Sequence, residues 1–302
     1  MKSLLAGFCA LFCAWVGGIT QAARAADPMF DLIISENWPE LDRVAYDRLA
    51  ADPLDGIAIH ALARRAIDSE VGSDRLRAEV MQKIDACLAA HPESGKCNLA
   101  YGQVFGVLIK SQSMFEAMGS VSKITESFEA AVTADPGDYD ARESLVTFYI
   151  RAPGIVGGSM RKGYKNVDDY AKLNPDYAKL LYALIALQEN DLSKAEGIVG
   201  KLPEESGDGI MTHMIAKRWL AIGQAYYENK DNTRAHAALE HARMHGAPSV
   251  AAYAHLGLAR IAQAEGHPDE AIDEFHAFLA FETPSSKTAE EARASLRQLG
   301  TN

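Results

Sequence analysis

The sequence predicts an all-α protein, folded as a right-handed solenoid of helix-turn-helix repeats that ends in a capping helix. A phrase that ends in proline recurs as LAADP, LAAHP, VTADP and AKLNP, with its prolines 39, 44 and 39 residues apart. Each phrase closes a stretch rich in Ala and Leu whose apolar residues have helical spacing, and no stretch shows the alternation of a strand. A chain of 302 residues can form one large core or an elongated array, and this repetition favours the array.

Residues 1–25 have the pattern of a secretory signal peptide. Lys2 precedes an apolar run of 16 residues, 4–19, and the small residues at 23–25 are typical of cleavage just before Ala26. The run falls short of the ~20 residues that a spanning helix needs, which weighs against the alternative of a membrane anchor. The sequence therefore predicts export to the periplasm and a mature chain that is not inserted in a membrane.

A lipid-anchored form is a second alternative for the same segment. That signal needs Leu-Ala-Gly followed directly by Cys, and here Phe8 separates Gly7 from Cys9. We therefore favour a soluble exported protein. The residues that follow, 26–56, are assigned to an N-terminal helical segment ahead of the repeats.

The chain is acidic, with a formal net charge of −11 at pH 7. Cleavage of the signal would remove Lys2 and Arg24 and make the mature protein more acidic still. Such a surface repels nucleic acid and anionic lipid, and the sequence has no Lys/Arg cluster of the kind that binds them. We therefore expect neither nucleic acid nor a lipid surface as a partner.

Two cysteines remain in the mature chain, Cys87 and Cys97, in the segment CLAAHPESGKC. They lie about one helical turn before and after the break at His91-Pro92, so two antiparallel helices would bring them face to face. In an oxidising compartment such a pair predicts a disulfide bond. The alternative is a pair of buried free thiols.

The clearest repeat is 217–246, where two helical stretches flank a polar break at 228–233. Gly223 and Ala235 are small enough to let the two helices approach closely. The larger residues are expected to fill the space around them: Trp219, Tyr226 and Leu239.

This pattern resembles the tetratricopeptide repeat, in which W-x2-L-G-x2-Y is followed by A-x3-F-x2-A and then a proline. Residues 253–284 repeat it more loosely, and the copies at 98–136, 142–175 and 177–203 are degenerate. The resemblance covers most of 57–284; the alternative is an irregular helical bundle. It implies a concave groove lined by the first helix of each repeat. By that register the candidate groove residues are Gln103, Thr147, Arg151, Gln188, Gln224, Tyr227 and Glu228.

The segment RAPGIVGGS, residues 151–159, raises the question of a phosphate-binding loop. It lacks the Lys followed by Ser or Thr that the G-x4-G-K-[ST] loop requires, and the preceding residues belong to a helical run rather than a strand. We interpret it as a structural hinge between two helices. The alternative is a ligand loop that uses Arg151 to hold an anion. The structural loop residues are Pro153, Gly154, Gly157 and Gly158.

The same segment carries a second resemblance, to bacterial exported tetratricopeptide repeat proteins that contain the phrase FY-x2-APG-x-x-GG. Here the phrase consists of Phe148, Tyr149, Ala152, Pro153, Gly154, Gly157 and Gly158. Those proteins also tend to carry a cysteine pair around the proline of an earlier repeat. This second resemblance implies no activity.

The C-terminal residues 285–302 predict a capping helix. Thr288 and Glu291 have the spacing of a capping box, and Gly300 is a suitable helix terminator. The apolar stripe of this helix consists of Ala292, Leu296 and Leu299. A terminal helix with a polar outer face would cover the open edge of a repeat array.

No catalytic motif emerges from the remaining residues. His241 and His245 have a spacing that zinc can use, but a third ligand is lacking, so we interpret them as polar residues at a helix end. Met114, Phe115 and Met118, in a predicted long connection at 106–120, are either packing residues or an apolar lip for a partner.

The sequence therefore predicts a periplasmic, non-catalytic scaffold or adaptor without a cofactor or metal, which binds a protein or an extended peptide. The alternative is a protein that binds a small molecule or an anion through the 151–159 loop. The sequence leaves the oligomeric state open.

Overall fold

The computed structural model describes residues 28–68, 72–109, 114–203, 208–281 and 286–300. The predicted signal peptide, 1–25, lies outside these ranges. The described residues form helices and their connections, without a strand, and no helix among them is both long and apolar enough to cross a bilayer. The helices are α1 (Pro28–Ile34), α2 (Trp38–Ala51), α3 (Gly56–Ile67), α4 (Asp74–Ala90), α5 (Gly95–Leu108), α6 (Met114–Ala134), α7 (Tyr139–Arg151), α8 (Met160–Ala171), α9 (Pro175–Gln188), α10 (Leu192–Val199), α11 (Gly209–Glu228), α12 (Asn232–His245), α13 (Pro248–Glu265), α14 (Pro268–Ala280) and α15 (Ser286–Gln298).

The recurring prolines mark the helix boundaries. Helices α2, α4 and α6 each end two residues before a proline of the repeated phrase, at Pro53, Pro92 and Pro136. The fourth proline was expected to stop a helix in the same way, but Pro175 is instead the first residue of α9. Proline suits that position because the first turn of a helix leaves its N–H groups unbonded anyway.

Polar side chains cap the helices that follow these breaks. The side chain of Asp55 accepts hydrogen bonds from the backbone N–H groups of Ile57 and Ala58 at the start of α3. Ser94 caps α5 and Asp138 caps α7 in the same manner. Such caps satisfy donors that a helix end would otherwise leave open, and each contributes about 1 kcal/mol.

The helices pair into hairpins, and the hairpins stack with a curvature. The first helices of successive hairpins contact one another from α3 through α5, α7, α9 and α11 to α13. Within the described ranges, the second helices of the hairpins (α4, α6, α8, α10, α12 and α14) make no comparable contacts with one another. Helices on the inside of a curved stack lie closer together than those on the outside. The inner helices are therefore α3, α5, α7, α9, α11 and α13, and the outer helices are α4, α6, α8, α10, α12 and α14. The predicted α-solenoid is confirmed.

Glycines set the close approach of inner and outer helices. A Cβ at Gly223 would lie 2.7 Å from Cγ of Leu239, and one at Gly257 would lie 2.7 Å from Cδ1 of the same leucine. Leu239 therefore inserts between α11 and α13 and is fully buried. Helices α5 and α6 approach each other closely in the same way, at Gly102, which faces the ring of Phe128. Close approach at Gly223 follows the sequence prediction.

The predicted disulfide is present in the fold. Cys87 near the end of α4 is bonded to Cys97 at the start of α5, with the two Cα atoms 6.4 Å apart. Both residues are buried within the core that α1 to α5 share. The bond spans the turn around Pro92 and fixes the angle between two successive hairpins.

Two expectations about connections were wrong in detail. The long connection predicted at 106–120 is mostly helix, because α6 begins at Met114 and runs for 21 residues. The side chains of Met114, Phe115 and Met118 lie outside the described residues. The last helix begins at Ser286, so Thr288 lies inside α15 instead of capping it.

The apolar stripe of α15 packs against the last hairpin. Ala292 and Leu296 are buried in a cluster with residues of α13 and α14, and Leu299 packs on its edge. Gly300 ends the helix with a φ of 90°, a conformation that favours glycine.

The chain also folds back on itself across the array. Met29 of α1 is buried in the N-terminal core, while Phe30 packs against the central core that α7 to α13 build. The backbone N–H of Ser249, in the first turn of α13, donates to both carboxylate oxygens of Glu36, at 3.1 and 3.3 Å. The segment of α1 thus bridges the first and the later hairpins.

Candidate functional site

The inner helices place a buried carboxylate, Asp140, at the centre of a polar cluster. His60 Nε2 lies 3.3 Å from one carboxylate oxygen of Asp140, and Arg64 Nη1 lies 3.7 Å from the other. Gln103 Nε2 donates to Asp140 and to the hydroxyl of Ser144, both at 3.2 Å. This cluster joins α3, α5 and α7.

The charges in this cluster favour an ionised Asp140. Burial by itself would raise the pKa of Asp140. The charge of Arg64, the hydrogen bond and charge of His60 and the charge of Lys96 outweigh that effect and hold the pKa well below its usual range. Asp140 is therefore a fixed negative charge inside the solenoid at any physiological pH.

A second ionic cluster lies further along the array, around Arg218 of α11. Arg218 is almost fully buried and donates to the carboxylate of Glu143, to the hydroxyl of Tyr139 and to the backbone carbonyl of Leu180. It thereby ties α11 to α7 and α9. A buried guanidinium of this kind is retained only where such partners satisfy it.

Lys217, next to Arg218 on α11, differs from these groups. It makes no ion pair or hydrogen bond with any residue in the described ranges. Loss of hydration and, to a lesser extent, the charge of Arg64 lower its pKa to about 8, although the charge of Asp140 acts in the opposite direction. Its side chain is partly accessible to solvent. Among the residues that the structure describes, Lys217 is thus a cation without a counter-ion within bonding distance.

His213 lies one helical turn before Lys217, on the same face of α11. Burial, together with the charges of Lys217 and Arg64, lowers the pKa of His213 to about 3, so the imidazole is neutral at pH 7. Its Nδ1 is buried and has no hydrogen-bond partner among the described residues. The same is true of Gln103 Oε1.

A cavity of about 650 Å³ opens beside His213, between α1 and the beginning of α11. Its wall on the α1 side consists of Asp31, Ile34 and Ser35. The opposite wall consists of Gly209, Thr212, His213 and residues 245–248. The cavity thus gives access to the face of α11 that carries His213.

The predicted groove residues fall into two groups. Gln103 is engaged inside the Asp140 cluster, Thr147 is half-buried, and Tyr227 packs against the central core. The other four lie exposed toward the C-terminal ends of α7, α9 and α11, and make no hydrogen bond or ion pair with the described residues: Arg151, Gln188, Gln224 and Glu228.

The ends of these inner helices lie side by side. Asn229, just after α11, donates to Asn190, just after α9, at 3.4 Å. Asn232 at the start of α12 donates to Glu265 at the end of α13, at 3.1 Å. The exposed polar residues therefore form a row along one edge of the inner face.

The 151–159 segment uses its backbone donors within itself. The N–H groups of Val156 and Gly158 donate to the carbonyl of Pro153, and that of Ser159 donates to Tyr149. Gly157 has a φ of 98° and also donates within the loop. Because these four N–H groups already donate to backbone carbonyls, they cannot bind an anion. This favours the hinge over a phosphate-binding loop.

The other sequence candidates are located as follows. The ring of His241 stacks on Trp219, with centroids 4.7 Å apart. His245 lies in the wall of the cavity beside α1. Within the described ranges no group of three or more His, Cys, Asp or Glu side chains is placed to hold a metal ion.

Sequence reasoning missed Asp140 and Lys217, although a signal was present. Each lies seven residues before a predicted groove residue, Thr147 and Gln224 respectively. Seven residues are nearly two helical turns, so the pairs share one face of their helices. Extending the groove register toward the start of each inner helix would have found both charged residues.

No protein-family model and no curated protein sequence matches this chain. Solved structures do resemble it. A tetratricopeptide repeat protein from Parabacteroides merdae shares 13% identity over 90% of this chain and 96% of its own, with a TM-score of 0.52. The Cut9–Hcn1 hetero-tetramer of the APC/C shares 15% identity over 90% of this chain and 48% of its own, with a TM-score of 0.53.

Human IFIT1, crystallised as a dimer with m7Gppp-AAAA, shares 18% identity over 88% of this chain and 62% of its own, with a TM-score of 0.53. At these identities the likeness concerns the fold alone. It supports the tetratricopeptide-like architecture that the sequence predicted.

Proposed function

We propose that this protein is a non-catalytic binding scaffold of the periplasm, which holds a protein segment or an extended peptide along its inner helices. The observation that carries the proposal is the exposed row at the ends of α7, α9 and α11. Its polar side chains are directed to solvent and have no partner among the described residues.

The outer helices supply the contrast. Several of their exposed charges are already paired within the same helix or its cap: Lys165 and Lys172 with Asp169 on α8, and Arg234 with Asp231 on α12. Charges that are already paired offer little to a ligand.

An extended peptide has the chemistry that this row can recognise. The amides of Gln188 and Gln224 each offer donors and an acceptor, and can bond both the N–H and the C=O groups of a peptide backbone. Arg151 and Glu228 add one charge of each sign, which would select complementary side chains. The acidic chain makes nucleic acid an unsuitable ligand.

The periplasmic location rests on the signal pattern in residues 1–25. N-terminal sequencing of the native protein tests it: a mature chain that starts at or near Ala26 is expected. Recovery of intact Met1 in a membrane fraction would contradict the export of a soluble protein.

Site-specific photo-crosslinking in the native host tests the binding face. A photoreactive amino acid at Gln224, on inner helix α11, is expected to capture a partner protein in discrete adducts that mass spectrometry identifies. The same residue at His236, exposed on outer helix α12, is the matched control and is expected to capture none. Adducts from the outer position alone, or from neither position, would contradict the proposal.

A further inference from the structure

The 151–159 segment presents an isoleucine to solvent at its tip. Ile155 is 80% exposed, more than any other large apolar side chain in the described ranges. The backbone around it is tightly folded, because the N–H groups of Val156 and Gly158 donate to Pro153 and a Cβ at Gly158 would overlap the carbonyl oxygen of Ala152. A tip that is already ordered loses little conformational entropy when a partner covers it.

The chain around this tip is basic, although the protein as a whole is acidic. Residues 144–167 contain no Asp or Glu. Their four cations are Arg151, Arg161, Lys162 and Lys165. Lys165 pairs with Asp169, whereas Arg151 and Arg161 are exposed and make no ion pair with a residue in the described ranges. An apolar tip beside positive charge is complementary to an acidic surface that has an apolar lining.

A cavity with that complementary character lies among the turns that precede α3, α5 and α7. Its volume is about 510 Å³. Its apolar lining consists of Leu54, Ile57, Ala131 and Ala134. Its carboxylates are those of Asp52, Asp55, Asp135 and Asp138, and Lys96 is the one cation in the same lining. We refer to it as the aspartate cavity.

The aspartate cavity keeps a negative charge after its internal ion pairs are counted. Arg48 Nε donates to Asp55 at 2.7 Å, and Lys96 Nζ donates to Asp138 at 2.8 Å. The other two aspartates of the lining are exposed, and each accepts a hydrogen bond from a backbone N–H group of its own turn. The cavity therefore attracts positive charge.

Helix α7 separates the aspartate cavity from the isoleucine tip within one chain. Asp138 caps the first turn of α7 and lines the cavity, whereas Arg151 is the last residue of α7 and begins the 151–159 segment. A helix of 13 residues is about 20 Å long at 1.5 Å per residue. Because the two features lie at opposite ends of α7, Ile155 cannot enter the cavity of its own chain.

We propose that Ile155 of one copy of this protein enters the aspartate cavity of a second copy, with the basic side chains of the tip beside the exposed aspartates. Every copy carries both surfaces, and the two surfaces differ. Such an association is head-to-tail, and it continues beyond a dimer unless the chain of copies closes into a ring. Apart from Arg151, the residues of this contact lie outside the proposed peptide-binding row.

Sedimentation velocity of the purified protein, over a concentration series at low salt, tests the association. We expect the average mass of the wild type to rise with concentration. Ile155→Asp should weaken the association about tenfold or more, because an apolar contact is lost and a negative charge is placed beside the aspartates. Met244→Asp, on outer helix α12, is the matched control; Met244 is also exposed and apolar, and this variant should associate as the wild type does.

A mixing experiment tests the head-to-tail geometry. Ala134→Arg places a bulky cation in the lining of the cavity, at an exposed position at the end of α6. Each of the variants Ile155→Asp and Ala134→Arg should be monomeric at concentrations where the wild type associates. An equimolar mixture should form a dimer that grows no further, because one variant keeps its tip and the other keeps its cavity. A mixture that stays monomeric, or association that survives either change, would overturn the proposal.

Two further measurements complete the test. A wild type that remains monomeric at about 1 mM would refute the association, since even weak specific complexes form at that concentration. Flotation with vesicles of phosphatidylglycerol and phosphatidylcholine examines an anionic lipid surface; binding of monomers that Ile155→Asp abolishes would replace the second copy by a membrane and refute the proposal. Circular dichroism verifies the fold of each variant, and Ile155→Ala takes the place of Ile155→Asp if the latter does not fold.

Discussion

Leu239 is the point at which the packing of the repeats can be tested most directly. Its side chain is fully buried between Gly223 of α11 and Gly257 of α13. Leu239→Ala removes the group that fills this space, and a buried leucine truncated to alanine costs about 3–5 kcal/mol when the surroundings cannot collapse. Helices held on both sides by other contacts leave little room to collapse.

Gly223→Ala tests the same contact from the other side. The new methyl group would lie 2.7 and 2.9 Å from Cγ and Cδ2 of Leu239, and 3.2 Å from the carbonyl oxygen of Ala235. Overpacking of this kind costs about 1–3 kcal/mol, and the better helix propensity of alanine returns about 1 kcal/mol. We expect a net loss of about 0–2 kcal/mol.

The double variant decides whether these contacts are understood. In the Leu239→Ala background the two closest atoms are gone, so Gly223→Ala should be neutral or stabilise by about 1 kcal/mol through helix propensity. The coupling energy from a cycle of four proteins should then be about 2 kcal/mol, measured by urea unfolding at pH 7. Additive costs to within about 0.5 kcal/mol would refute the insertion of Leu239 between the helices.

Three further predictions concern the disulfide, the loop and the interior lysine. Replacing Cys87 and Cys97 by Ser should lower the free energy of unfolding by about 2.7 kcal/mol, the value of the chain-entropy model for their separation of 10 residues. The helix content measured by circular dichroism should stay the same. An unchanged midpoint of urea unfolding would contradict this prediction. Gly157→Val should lower the Tm because its φ is 98°, whereas exposed Arg151→Ala should leave it unchanged. Calorimetry with nucleotides and sugar phosphates checks the alternative: micromolar binding that is lost in Arg151→Ala would revive an anion-binding role for the loop. The lowered pKa of Lys217 means that its protonated form is disfavoured in the folded protein. Lys217→Met should therefore be more stable than the wild type by about 3 kcal/mol below pH 8, and this difference should vanish as the pH rises to about 10.5. A difference in stability that does not depend on pH would contradict an origin in the lysine charge.

The sequence predicted the elements because the signals for them are local. Proline cannot continue a helix, so the recurring phrase marked the helix ends at Pro53, Pro92 and Pro136. The spacing of Cys87 and Cys97 around such a break was enough to predict their bond. Pro175 was misjudged because proline is favourable in the first turn of a helix as well as after the last.

The beginning of α6 was missed for a related reason. Residues 114–120 contain no proline and a single glycine, Gly119, so they lack the clear signals that mark connections elsewhere. The repeat pattern nevertheless suggested that they were an insertion between two helices. The structure lengthens the outer helix instead. A template fixes which residues pack, but it does not decide how an extra stretch is folded.

By itself the sequence determined the repeat architecture, the disulfide and the acidic character of the protein, because each depends on residues close together in the chain or on composition alone. Only the tertiary structure brought Arg64 of α3, Asp140 of α7 and Lys217 of α11 into one electrostatic environment. The curvature of the stack sets those distances. Curvature accumulates from small rotations at every hairpin, each fixed by contacts such as that of Leu239 with Gly223, and no single stretch of sequence encodes it.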